Sequence, residues 1–251
     1  MAMACPNLKL DAGDLPEAVL LPGDPQRAER IAGRLVRSAR IAVNREYHSY
    51  RGDFEGIPVG VVSAGVGSAG AAVAYEEAIR AGGRTLIRVG TAGALREDVN
   101  PGDLVVVLGS VRAEGTSRQL APLEVPALAD PDVSACLWRA AQEAESGSHR
   151  GIGVTIDAFY PGVLDLGLQT YARAGAVCVE MECAALFVIG LLRGIRTGAV
   201  VAIDARPGAI EAGEYDPHRG LVHRAVDREI EVALRAIHRL YKGEHAVRET
   251  E

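Results

Sequence analysis

The 251 residues, 48% hydrophobic and 24% charged, have the length and balance of one globular α/β domain and exclude a disordered chain. A formal net charge of −6 speaks against a nucleic-acid binder, which usually shows a basic excess on one face. Of the 27 basic residues only Lys9 and Lys242 are lysines, a bias that fits a GC-rich genome and leaves many guanidinium forks that suit phosphate.

In chain order, Ala18–Leu21 reads as a short strand stopped by Pro22-Gly23-Asp24-Pro25. Ala28, Ile31, Ala32 and Leu35 then repeat at helical spacing with arginines opposite. Tyr47–Arg51, Val59–Ala64, Thr85–Val89, Leu104–Leu108 and Gly198–Ile203 read as further strands. Helices are predicted over Ala69–Ala81, Asp132–Ala144, Glu182–Arg193 and Leu221–Tyr241, with a loop at Gly213–Pro217 and a frayed tail from Lys242. This alternation predicts a single-domain, three-layer α/β sandwich over residues 1–251, a central mixed sheet flanked by helices. Cys5, Cys136, Cys178 and Cys183 form no C-x-x-C and read as reduced thiols. Met1–Lys9 lacks a secretory pattern, and the longest apolar run, Cys183–Leu192, is about half a membrane span, so a cytoplasmic protein is expected.

Gly65-Val66-Gly67-Ser68-Ala69-Gly70 matches the dinucleotide fingerprint, but the next strand, Thr85–Gly90, carries no acid to bind a ribose. The glycines fit close approach of the backbone to another oxyanion or sugar better than a nicotinamide site. Gly23 and Arg27 lie at a strand-to-helix turn, Arg88 and Thr91 flank a glycine turn at a strand end, and Arg45 precedes a strand. Together they form a donor set able to hold a dianion, although each arginine taken singly reads as a solvated charge. In Val179-Glu180-Met181-Glu182 the acids serve equally as helix N-terminal charges or as a carboxylate for two sugar hydroxyls with Met181 against the ribose. Asp204 ends a buried strand, where α/β enzymes place catalytic groups, or caps the next turn. Phe159 and Tyr160 sit at a turn, either as core or as a stack for a flat base.

These segments together resemble the family of uridine phosphorylases and hexameric purine nucleoside phosphorylases. Leu21–Arg27, Ser63–Gly70, Leu86–Gly93, Ala121–Ala127, Asp157–Gly162 and Val179–Leu186 match in family order over nearly the whole chain. The resemblance implies phosphorolysis of a nucleoside to free base and ribose 1-phosphate, with inorganic phosphate as co-substrate and neither organic cofactor nor metal. Gly23, Arg27, Arg88 and Thr91 then bind phosphate, with Arg45 reaching in from a neighbouring subunit of a dimer-based hexamer. Glu182 holds the ribose hydroxyls beside Met181, and Phe159 lies near the base.

Three departures from the pattern stand out. Asn7 stands where members carry a ribose-contacting histidine. Val163 and Asp165 replace the glutamine and arginine that read uracil. Ungapped counting puts Ala205, not Asp204, at the acid position of purine-type members; Asp204 can protonate or hydrogen-bond the leaving base only after a local shift, because side chains alternate faces along a strand. Ala121–Ala127 and Glu114–Ser117 look more like uridine phosphorylases, so uridine is the single expectation and a purine nucleoside the alternative. A hydrolytic nucleosidase would not need the phosphate set, and an inactive nucleoside-binding protein is the non-enzymatic reading.

Overall fold

The computed structural model describes residues 5–144, 147–160, 162–209, 214–216 and 220–243. Along the chain run β1 (Ala18–Pro22), α1 (Pro25–Ala32), β2 (Val36–Asn44), β3 (Tyr47–Phe54), β4 (Ile57–Val62), α2 (Ser68–Arg80), β5 (Thr85–Ala94) and β6 (Leu104–Arg112). There follow α3 (Gly115–Leu120), β7 (Ala127–Leu128), α4 (Pro131–Glu143), β8 (Ser148–Thr155), α5 (Leu168–Arg173), β9 (Cys178–Glu180), α6 (Cys183–Arg193), β10 (Arg196–Ala205) and α7 (Gly220–Tyr241).

Every strand and long helix read from the sequence is present. The additional strands have local reasons to be illegible. β2 is an edge strand with its first five residues exposed, so it carries no apolar alternation. β8 opens on polar residues and glycine, and β9 is three residues long. α1 ends at Ala32, with the N–H of Gly33 still bonded to the carbonyl of Glu29, although Leu35 is also buried.

The sheet is mixed, as expected: β1 pairs in parallel with β4 and β5, and β10 in parallel with β5, while β10–β6, β2–β3, β3–β4 and β5–β9 are antiparallel. Successive strand residues face opposite layers. Leu21, Leu86 and Val201 join the cluster beneath α2 and α6 with Tyr75 and Phe187. Leu20, Ile87 and Val200 join the cluster beneath α1, α4 and α7 with Ile31, Leu137 and Ile237. Part of the sheet also closes on itself, since β5 pairs β10 as well as the β6–β8–β9 path.

The closure positions the site. β10 follows one edge of β5 from Thr85 to Gly93. On the other edge β1 pairs only as far as Val89, and β9 takes over at Gly93. Between them that edge of β5 is unpaired over Gly90–Ala92, at the carboxyl end of β1. Such a switch in pairing opens a crevice in α/β sheets. Among the described residues no helix is long and apolar enough to cross a membrane.

Candidate active site

A cleft of about 1330 Å³ opens at this break. Its floor is the turn from β1 into α1. Asp24 caps α1 by accepting from Gln26 N at 2.9 Å, which leaves the backbone around Gly23 facing the cleft. A Cβ on Gly23 would lie 2.9 Å from the carbonyl oxygen of Gly65, so only glycine lets the two loops meet. Arg27 rises from the first turn of α1, and its Nη1 donates to the carbonyl of Val89 at 3.2 Å.

Arg88 is almost fully buried in β5. Gly90 makes room for it: a Cβ there would stand 2.8 Å from the Arg88 guanidinium carbon. Nε donates to Glu180 Oε2 at 2.9 Å, and Nη2 pairs closely with Glu182 Oε2. Burial works against the charge of Arg88, but Glu182 and Glu180 more than offset it and keep the cation. Thr91 lines the cleft beside it.

The two readings of the acidic segment divide between its two acids. Glu180 does the structural work: it accepts from the N–H groups of Glu182 (2.8 Å) and Cys183 (2.9 Å) at the start of α6, and from Thr155 Oγ1 at 2.6 Å. Glu182 lines the cleft, and its Oε1 accepts from Gly67 N at 2.5 Å. The glycine fingerprint therefore spends this N–H on a carboxylate of its own chain. Burial pushes the Glu182 carboxyl up, against the pull of Arg88. Met181 lines the same wall, its carbonyl held by Ser68 Oγ at 2.7 Å.

At the opposite end, β10 slips register against β5: Ile203 pairs with Ala92 and Ala205 with Gly93, leaving Asp204 as the extra residue of a bulge. A bulge re-aims a side chain, which removes the objection from strand alternation and brings Asp204 to the cleft. Burial pushes its carboxyl up to about 6, while hydrogen bonds from Tyr215 (3.1 Å) and Thr91 and the charge of Arg27 hold it from rising further. Phe159 lines the cleft and meets Tyr215 edge to face at 5.4 Å. Tyr160 packs against Phe159 at 5.0 Å but is 78% exposed and off the cleft wall, so it backs the stacking ring instead of joining it. Pro161, the two ends of the loop at Gly213–Pro217 (Gly213 and Pro217) and the tail beyond Gly243 lie outside the described residues.

Asn7 and Arg45 do not line this cleft. Asn7 Nδ2 donates to Glu77 at 2.7 Å, and Asn44 Nδ2 donates to the carbonyl of Asn7 at 2.7 Å. Arg45 follows Asn44 in the β2–β3 turn, exposed and with a left-handed φ of 53°. The two residues thus share one edge of the molecule. Val163 is fully exposed, and the Asp165 carboxylate accepts from Gly167 N at 2.8 Å.

Two residues at the site escaped the sequence reading. Tyr215 carried no local signal. Glu229 carried one, an acid in phase with Val222, Val226 and Ala233 on the apolar face of α7. It has no exposed surface, lies 3.4 Å from Arg27, and burial pushes its carboxyl up to about 8 against the pull of that guanidinium. Among the described residues no group of three or more His, Cys, Asp or Glu side chains could hold a metal ion.

Comparison with known proteins gives a consistent picture. Residues 17–240 match the model of the phosphorylase superfamily. The chain is 35% identical to a guanosine phosphorylase of Halorubrum lacusprofundi over 92% of its own length and 97% of that protein's. It is 38% identical to a uridine phosphorylase of Treponema pallidum over 78% of its length and 80% of that protein's. In structure it is similar to purine nucleoside phosphorylase of Toxoplasma gondii crystallised with immucillin-H (TM-score 0.91, 30% identity, 97% of this chain and 99% of that one). With the family model spanning nearly the whole chain, it belongs to the phosphorylase superfamily, among its nucleoside phosphorylases.

Proposed function

We propose that this protein is a pentosyltransferase that cleaves purine nucleosides with phosphate, releasing the base and ribose 1-phosphate. The purine assignment departs from the expectation of uridine and rests on one observation: the bulge turns the Asp204 carboxyl into the cleft with a proton affinity near neutrality. A purine offers N7 as an acceptor, and a carboxyl titrating at about 6 can supply its proton. The uracil reader has no counterpart, because Asp165 is an acceptor already engaged by Gly167. A site built around donors to uracil would lose orders of magnitude without them. The guanosine phosphorylase similar over nearly the full length supports the same reading.

In this mechanism phosphate sits on Gly23, Arg27, Arg88 and Thr91, and the ribose hydroxyls bind Glu182 beside Met181. As the C1′–N bond lengthens, its electron pair leaves with the base and the sugar gains positive charge. A phosphate oxygen attacks C1′, and the proton of Asp204 moves to the departing ring. Phe159 offers its face to the base. Catalysis is orientation plus fixed charge, each well-aimed donor supplying roughly 10²–10³ in rate by analogy with oxyanion holes. The reaction draws on phosphate as co-substrate and calls for no organic cofactor.

The working unit is a homo-oligomer, a dimer or a dimer-based hexamer, in which Arg45 and Asn7 complete a neighbour's site. Their shared edge and the strained Arg45 backbone support this. So does a cleft larger than the roughly 300–1,000 Å³ of ordinary ligand pockets. The four buried thiols fit a reducing compartment such as the cytoplasm. The test is base release from guanosine, inosine, adenosine, methylthioadenosine, uridine and thymidine, with and without phosphate. Phosphate-dependent release of a purine is expected. Preference for uridine would overturn the purine assignment, and release without phosphate would overturn phosphorolysis.

A further inference from the structure

Glu229 Oε2 accepts from the backbone N–H of Ala202 at 2.9 Å, two residues before Asp204. Oε1 is buried without a hydrogen bond among the described residues and lies 3.4 Å from Arg27 Nη1. A buried carboxylate with a bare oxygen is costly, since desolvation is offset only by full pairing. The acid stands on an otherwise apolar face of α7, and its contacts are the polar ones with Ala202 and Arg27. The charged and titratable groups facing it are Arg27 from α1, Arg88 from β5 and Asp204 from β10.

Resting on the reading of Arg27 as a phosphate ligand, we propose that Glu229 is a positioning residue that acts through Arg27: ionised, it draws the guanidinium back from the cleft, and protonated, it leaves that charge to the phosphate. Binding of the dianion is then coupled to uptake of one proton at Glu229. With its carboxyl pushed up to about 8 by burial, the change of state falls where inorganic phosphate is already mostly a dianion.

The test measures phosphate KM for wild type and Glu229→Gln at about pH 7 and about pH 9, since linkage shows only where the group titrates. Glutamine keeps an acceptor for Ala202, so β10 and Asp204 keep their support. The two proteins should agree at the lower pH, and at the higher pH wild type should need about tenfold more phosphate, a modest coupling for charges a few ångströms apart. Nucleoside KM should not separate them, and the difference should vanish in an Arg27→Ala background. A wild-type to variant ratio that is constant with pH, or a difference that survives Arg27→Ala, overturns the inference. An Arg27→Ala variant with unchanged phosphate KM would instead overturn the phosphate reading, and this inference with it. Should the glutamine variant not fold, calorimetry of inorganic phosphate binding to wild type near pH 8, in buffers of unlike ionisation enthalpy, decides the matter. Net proton uptake is expected, and net release or none is refutation.

Discussion

Arg88→Ala removes the cation that lies between Glu180 and Glu182 inside the sheet. Both carboxylates are buried while Arg88 is present, so water entering from the cleft replaces the guanidinium only in part. Glu180 keeps the bonds from Thr155 and the N–H groups of Glu182 and Cys183, whereas Glu182 keeps the one from Gly67. The loss therefore falls chiefly on Glu182. Removing one partner of a buried pair costs about 3–5 kcal/mol. At about 2–4 °C per kcal/mol for a domain of this size, the melting temperature should fall by roughly 6–20 °C. Without Arg88 the Glu182 carboxyl rises further above its unfolded value. The native state then holds a proton that the unfolded chain has released, so the deficit grows as pH rises through that window and shrinks in acid. Urea melts of Arg88→Ala, Glu182→Gln and the double variant across this range provide the assay. The double variant should be more stable than the summed single losses imply, by at least about 1 kcal/mol. Simple additivity, or a loss below about 1 kcal/mol for Arg88→Ala, would show that the charges are not coupled and refute the reasoning. Turnover with phosphate should drop by roughly 10²–10³ in the folded variant.

Asp204→Asn should lower kcat on purine nucleosides by about 10² and flatten the pH profile; in wild type, activity should decline as pH rises through about 6, where the carboxyl loses its proton. Wild-type activity of this variant on every base would make Asp204 structural. Tyr215→Phe removes a hydrogen bond that favours the ionised carboxyl, so the midpoint of that profile should move to higher pH; an unmoved midpoint would contradict the Tyr215–Asp204 link. Glu182→Ala should impair ribosides more than 2′-deoxyribosides in parallel kcat/KM measurements, and equal losses would exclude a hydroxyl-specific role.

Much of the fold was legible because it is dictated locally. The β-branched runs of β5, β6 and β10 and the apolar stripes of α2, α4 and α7 record burial on a period of two or of 3.6. β2 escaped because an exposed edge strand buries too little to leave such a record. Gly23, Arg27, Arg88, Thr91, Met181, Glu182 and Asp204 were all visible as residues placed at turns and strand ends, and the structure brings them to one cleft.

The sequence by itself thus determined the layers, the family and the inventory of charged groups, since each leaves its trace within a few neighbouring residues. Only the tertiary structure decided which acid does what. Glu180 and Glu182 are two residues apart and chemically identical, and both pair with Arg88; their roles diverge because Glu180 also takes the N–H groups that open α6 while Glu182 reaches the distant Gly67. Asp204 reaches the cleft through a slip in register against β5, set by pairing between strands more than a hundred residues apart. The partnership of Glu229 and Arg27 spans most of the chain and exists only because α7 packs on the face of β5 and β10 and brings Glu229 to the start of α1. Hydrogen bonds, bulges and buried ion pairs depend on distances in space, and sequence spacing fixes those only over a turn or two of chain.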